Sequence, residues 1–307
     1  MIHSSDAFVL TLPPGHRFPM AKYARLAERV ASVAGGRMRV PDAATDEELL
    51  RAHDATYVDS VVRGTLDPRA QRRIGFPWSS AMVERSRRSA GATIAACRDA
   101  LEGGLGINLA GGTHHAHRAH GEGFCVFNDT AVAARAMQAE GRARRVLVVD
   151  LDVHQGDGTA SIFAGDPDVV TFSMHGRQNF PFRKAASAID VELDDGTGDD
   201  TYLATLAAVL PRAIDRARPD LAIYLAGADP YRGDRLGRLA MTKSGLADRD
   251  RTVLERLAAL GVPVAIAMAG GYAEDIDDIV DIHFATVMLA LECAGALRHA
   301  ERATAGC

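Results

Sequence analysis

Of 307 residues only four are cysteines, Cys97, Cys125, Cys293 and Cys307, and one is a tryptophan. No two cysteines stand at metal-finger spacing, and four in so long a chain fall far below the density of a disulfide scaffold. No apolar stretch approaches the ~18 residues of a membrane span. Met1 to Leu12 carries neither a basic segment nor a long apolar run, so the reading expects no secretory signal and a cytoplasmic home. Basic residues are not in excess: the formal net charge is −5 and the pI about 6.1, which argues against a nucleic-acid or membrane-surface partner. The local run Arg85, Arg87, Arg88 reads as the solvated face of a helix.

Several chemistries are also missing their signatures. There is no G-x-S-x-G elbow for a serine hydrolase. Gly156-Asp157-Gly158 lacks a Walker lysine and the G-x-G-x-x-G spacing of a dinucleotide site. Cys125, a conceivable nucleophile, lies between Phe124 and Val126-Phe127 and reads as a buried small hydrophobe.

What is present is a large core. Hydrophobic residues make up 47% and charged ones 24%, with no repeat and no Pro-, Gly- or Ser-rich linker, so residues 1–307 are read as one domain. Short apolar runs at Gly106–Leu109, Arg145–Asp150, Val169–Ser173, Leu221–Leu225 and Pro263–Met268 alternate with helical patterns, and weaker runs lie near Phe8–Leu10 and Ile189–Leu193. Helices are expected over Ser79–Leu101, Thr130–Ala139 (capped by Asn128-Asp129), Lys243–Leu260 and Asp275–Leu297. Pro211 predicts a kink or split within Tyr202–Ala217. The alternation predicts an α/β fold, a mostly parallel sheet flanked by helices on both faces.

Such sheets bind ligands beyond the carboxyl ends of their strands. Five apolar runs lead directly into Gly111-Gly112-Thr113-His114-His115, Asp150-Leu151-Asp152-Val153-His154, Ser173-Met174-His175, Gly227-Ala228-Asp229 and Gly270-Gly271-Tyr272. Asp152 and His154 are two apart on an extended segment, so their side chains point the same way. They can share a metal ion, with Asp229 arriving from a neighbouring strand end. Two carboxylates and an imidazole suit Zn²⁺ or Fe²⁺ and leave room for water and substrate. Asp-x-His alone is weak, because isolated polar pairs at strand ends more often cap backbone. The adjacent His114-His115 suits proton transfer, with Asp150 and Asp157 as orienting partners. Tyr272 offers a phenol donor on a glycine turn.

In order, these blocks, together with Gly123-Phe124-Cys125 and His154-Gln155-Gly156-Asp157-Gly158, resemble the signatures of the histone deacetylase family. Gly233-Asp234-Arg235-Leu236-Gly237 and Gly15-His16-Arg17-Phe18-Pro19-Met20 look most like its class IV branch and bacterial relatives. The resemblance runs to about His283. It implies the arginase/deacetylase fold and a zinc-dependent deacylase of N-ε-acyl-lysine in proteins or peptides. It assigns Asp152, His154 and Asp229 to Zn²⁺, and His114 and His115, backed by Asp150 and Asp157, to acid/base work. Tyr272 becomes the donor to the substrate carbonyl. Gly123, Phe124 and Phe180 would line the acyl-lysine tunnel. A structural K⁺ is implied at Asp150, Asp152, His154, Ser173 and Met174. Gln155 stands where class I members carry His, and Ala269 where a further Gly is common.

Three rivals remain at this stage. An acetylpolyamine amidohydrolase would use the same site on small acylated amines and should carry acidic residues at the tunnel mouth. A silent binding module would keep the fold without chemistry. An arginase-type enzyme with two Mn²⁺ would need further carboxylates, but Gly156 follows Gln155 and Pro230 follows Asp229. Acyl length and oligomeric state are left open.

Overall fold

The apolar runs become strands, and their alternation decides which layer each side chain enters. In β4 (Val146–Asp150), Leu147 and Val149 join one hydrophobic cluster while Val146 and Val148 join another. Strand β7 (Leu221–Leu225) divides in the same way, with Ala222 and Tyr224 on one face and Leu221, Ile223 and Leu225 on the other. Side chains of successive strand residues point to opposite faces, so a strand apolar throughout must be covered on both sides.

The computed structural model describes residues 1–305, with side chains described as far as Ala294; Cys307 lies outside the described residues. Eight strands form one sheet in the order β2-β1-β3-β8-β7-β4-β5-β6, every neighbouring pair parallel. The remaining strands are β1 (Ile2–His3), β2 (Met38–Arg39), β3 (Leu105–Asn108), β5 (Val169–Gly176), β6 (Ile189–Leu193) and β8 (Val264–Ala267). Helices α1 (Ala21–Ala34), α8 (Asp199–Ala217), α9 (Lys243–Ala259) and α10 (Ile276–Ala305) supply the first cluster; α5 (Ser80–Gly103) and α6 (Asp129–Ala139) supply the second. Among the described residues there are also the short helices α2 (Asp46–Leu50), α3 (Ala55–Arg63), α4 (Pro68–Ile74) and α7 (Asp157–Ile162) and a 3-10 turn at Gly35–Arg37. This is the expected α/β class. No helix among the described residues is long and apolar enough to cross a membrane.

Three local expectations are corrected. Phe8–Leu10 is not a strand; the sheet edge is built from β1 and β2, two residues each. Helix α8 runs unbroken through Pro211, because Leu206, Leu210, Ala213 and Ile214 are buried on both sides of the proline and hold the helix against the sheet. The Arg85–Arg88 run is not a solvated face. Arg85 is buried, donates to the Phe8 carbonyl and lies over the Tyr23 ring at 4.3 Å. Arg88 reaches the Pro41 carbonyl at 2.7 Å and covers Phe8. Helix α5 thus uses its arginines to hold the N-terminal segment.

Candidate active site and metal centre

Four of the five predicted strand ends open into one cavity of about 1000 Å³, while the fifth, Ser173-Met174-His175, is buried and does not line it. At its floor, three buried side chains converge. Asp152 Oδ1 lies 3.0 Å from His154 Nδ1, which lies 3.2 Å from Asp229 Oδ2. The three ligand atoms stand within 4.8 Å of one another.

The backbone presets this group. Asp152 Oδ1 accepts from the His154 N–H at 2.9 Å, Asp152 Oδ2 from the Gly270 N–H at 2.8 Å, and Asp229 Oδ1 from the Val153 N–H at 2.9 Å. Asp229 Oδ2 is left without a hydrogen-bond donor although wholly buried. An unpaired buried carboxylate oxygen is costly, and it faces the two other ligand atoms. Glycine at 270 is required, since a Cβ there would stand 2.0 Å from Asp229 Oδ2 and 2.5 Å from Asp152 Oδ2. Burial pushes the Asp229 carboxyl up to about 7, aided by the charge of Asp152. Burial opposes the cationic form of His154, yet the Asp152 carboxylate at its Nδ1 and the neighbouring Asp229 raise it to about 10. Crowded anionic oxygens and an imidazole nitrogen, buried and one of them orphaned, are a donor set that fits a divalent cation.

Beside this group lie two His–Asp pairs. His114 Nδ1 is 2.8 Å from Asp150 Oδ2, and His115 Nδ1 is 2.7 Å from Asp157 Oδ1. The two imidazoles are 4.2 Å apart, and all four residues are buried. Their titration is driven in opposite directions. Burial penalises the His114 cation, but Asp150 and Asp152 overcome this and hold it at about 9. Burial and then the neighbouring charge of His114 push His115 down to about 4. One ring is thus a proton holder and the other a neutral acceptor.

The Gly111-Gly112 turn that delivers the pair is fixed by Asp129. Its carboxylate accepts from the Gly112 and Thr113 N–H groups at 3.1 and 2.7 Å and from the Thr93 hydroxyl at 2.6 Å. The cap of α6 falls to Asn128, whose Oδ1 accepts from the Ala131 N–H.

The walls are aromatic. Phe180 meets His115 edge-on at 4.9 Å, and Phe124 and Tyr272 stand 6.1 Å apart. Phe124 takes φ 66° after Gly123 at φ 56°. A Cβ at Gly123 would lie 2.8 Å from the His115 ring, so the turn brings backbone against the imidazole. Tyr272 lines the same cavity. Ala269, two residues before its glycine partner Gly271, itself takes φ 53°, in the left-handed region that glycine occupies without strain. Of the remaining predicted positions, Ser173 and Met174 are buried in β5, with Ser173 directly paired to Asp150. Burial pushes the Cys125 thiol well up, as suits a packed hydrophobe.

Several contributors carried no sequence signal of their role. Arg249 is fully buried in α9 and donates to the carbonyls of Leu151, at 3.2 Å, and Gly227, at 2.6 Å, clamping both metal-group loops. Lys22, also buried, reaches the carbonyls of Ala269 and Gly271 at 3.4 and 3.3 Å. His16 stacks on Phe76 in the wall. Arg17, Arg72, Arg73, Arg235 and Arg238 line the cavity with Glu122. Long-range contact made these residues, and no local pattern marks it.

Comparison with known proteins agrees with this geometry. The family model described as the histone deacetylase domain matches residues 16–287. The chain is 48% identical over 283 residues to an uncharacterized protein of Picosynechococcus sp., covering 90% of this chain and 93% of that one. It is 30% identical to histone deacetylase 2 of Arabidopsis thaliana, covering 89% and 74%, and 32% identical to the acetoin utilization protein AcuC of Bacillus subtilis, covering 67% and 59%. Among solved structures, an HDAC homolog complexed with SAHA superposes with a TM-score of 0.81 at 24% identity, over 94% of this chain and 83% of that one.

Proposed function

The chain belongs to the histone deacetylase family and is a hydrolase acting on amides, and from that premise we propose that it removes acyl groups from lysine side chains of proteins or peptides. The observation that carries this reading is the convergence of Asp152, His154 and Asp229 beside two His–Asp pairs at the floor of one cavity. The family is generally metal-dependent, and in this reading those three residues hold Zn²⁺; Fe²⁺ would satisfy the same donors. The ion supplies Lewis-acid polarisation of the amide carbonyl and acidification of water.

The chain's own groups do the rest. His115 is held by Asp157 through Nδ1, so Nε2 is the free nitrogen, and it takes the proton of the attacking water. As the water oxygen bonds to the carbonyl carbon, the Tyr272 hydroxyl donates to the oxygen that gains charge. The C–N bond then breaks and the histidine pair returns a proton to the leaving amine, with Asp150 stabilising the cationic His114. Phe124 and Phe180, with Gly123, flank the acyl-lysine stem. Asp150, Asp152, His154, Ser173 and Met174 are proposed to hold a structural K⁺. The class IV assignment rests on Gly15–Met20, His154-Gln155-Gly156 and Gly233–Gly237; Gln155 donates to the Ala185 carbonyl and Asp190 at 2.8 Å each. A single deacetylase domain and a cytoplasmic setting belong to the same reading.

Charge at the cavity supports the lysine substrate over the polyamine. Five arginines and Lys22 line it against Glu122, Asp152 and Asp229, an excess that disfavours a polycation. Acetyl-lysine peptide, myristoyl-lysine peptide and N-acetylspermidine are to be compared by kcat/KM. A lysine peptide is expected to lead; preference for acetylspermidine would overturn the assignment, and no turnover of any would favour a silent module.

A further inference from the structure

A second cluster of metal-ligating side chains lies outside the group at the cavity floor. His117, His120 and Glu122 belong to the loop between β3 and α6, and one ligand atom from each stands within 4.8 Å of the other two. The rings of His117 and His120 stack at 4.4 Å with their planes 17° apart, and His120 Nε2 is 3.9 Å from Glu122 Oε2. The loop backbone fixes this arrangement. The His117 N–H donates to the His120 carbonyl at 2.8 Å, and Glu122 and Cys125 exchange N–H···O bonds at 3.1 and 2.8 Å.

We propose that His117, His120 and Glu122 form a second site for a borderline divalent cation such as Zn²⁺ or Ni²⁺, coupled to the deacylase centre through Asp157. Two imidazoles and a carboxylate are a donor set that zinc takes readily, with a fourth position left to water. All three side chains are partly exposed, so an ion can enter and the rings can close to the about 3.3 Å separation of ligands around tetrahedral zinc. His117 already has the outer partner of a metal-bound imidazole: Nδ1 is 2.7 Å from the Ser161 hydroxyl, so Nε2, which faces Asp157 Oδ2 at 3.3 Å, is the nitrogen that an ion would take.

The coupling follows from one distance. His117 Nε2 is 3.3 Å from Asp157 Oδ2, and Asp157 Oδ1 is 2.7 Å from His115 Nδ1. A cation on Nε2 therefore sits against the carboxylate that orients His115 and weakens its hold on that ring. Excess metal should inhibit, a consequence that rests on the acid/base role given to His115; occupancy of the site does not.

Zn²⁺ titrated into the zinc-loaded full chain, followed by calorimetry, separates the two. Wild type should take up one further equivalent and His120→Ala none, while Asp229→Ala should lose the first equivalent and retain the second. A wild type with no further equivalent, or an undiminished one in His120→Ala, would overturn the site. In assays with added Zn²⁺, the inhibitory concentration should rise at least tenfold in His120→Ala, whose activity without added zinc is unchanged. Equal inhibition of the two proteins would overturn the coupling and leave the calorimetric result to judge the site.

Discussion

The carboxylate of Asp234 accepts a hydrogen bond from the backbone N–H of Tyr272 at 2.6 Å. The same side chain accepts from the Leu236 and Gly237 N–H groups at 2.8 and 2.9 Å, and Arg235 Nε donates to the Tyr272 carbonyl at 3.0 Å. The Gly-Gly turn would otherwise be free to displace the phenol; these bonds tie it to the loop after β7. Asp234→Asn, which replaces an acceptor of three N–H groups with a weaker one, is expected to lower kcat about ten- to a hundred-fold through misplacement of Tyr272. Zinc content, measured by elemental analysis, should stay at the wild-type level.

Tyr272 itself tests the assignment more directly. Tyr272→Phe removes the proposed oxyanion donor and keeps the ring that packs near Phe18 and Phe124. The expected loss in kcat is roughly 10²–10³-fold, with the thermal midpoint and bound metal unchanged. Near-normal turnover in the purified variant would remove the role.

The elements of this site differ in how they are written in the chain. The proposed ligands Asp152, His154 and Asp229 were legible as a group because metal ligation would demand such residue types immediately after apolar runs, and five junctions of that kind occur. Strands β1 and β2 were not, since two residues cannot display a period of two. Arg249 was hidden for another reason. It stands 98 positions from Leu151 and its own surroundings read as an amphipathic helix. The arginines of α5 misled in the same way: a charged run signals solvent until the carbonyls of Phe8 and Pro41 are brought to it.

Arg249 also predicts where the metal group's rigidity originates. Its guanidinium is fully buried against Asp250, at 2.8 Å from Nε, and Asp250 in turn accepts from the hydroxyls of Tyr224 and Thr286. Arg249→Met keeps much of the volume but strands a buried carboxylate and frees the carbonyls of Leu151 and Gly227. Breaking a buried pair in this way costs about 3–5 kcal/mol. Urea unfolding should show that loss as a lower midpoint, and metal should dissociate more readily from whatever remains folded.

Removal of metal should be felt in stability as well as in rate. An ion that binds only the folded chain stabilises it by an amount that grows with the logarithm of its concentration over Kd. Chelation is therefore expected to abolish turnover and lower the thermal midpoint of wild type. Asp229→Ala lacks a ligand, so its thermal midpoint should respond to chelator much less.

Acid should loosen the fold through His53. This buried ring bonds the His117 carbonyl through Nδ1 at 2.9 Å and accepts the Asn128 N–H at Nε2, also at 2.9 Å. The second bond requires the neutral ring, and burial lowers its pKa from 6.5 to about 4. Because the folded pKa lies below the unfolded one, the unfolded chain binds more protons between these values, and stability falls as pH falls. The contribution of His53 is whole above pH 6.5 and is lost progressively toward pH 4, by about 2 kcal/mol between pH 7 and pH 5. His53→Gln keeps polar atoms but does not titrate. Urea unfolding of both proteins at pH 7 and pH 5 should therefore show the advantage of wild type shrinking at the lower pH. An advantage that stays constant would mean that the ring titrates in the folded chain as it does in the unfolded one.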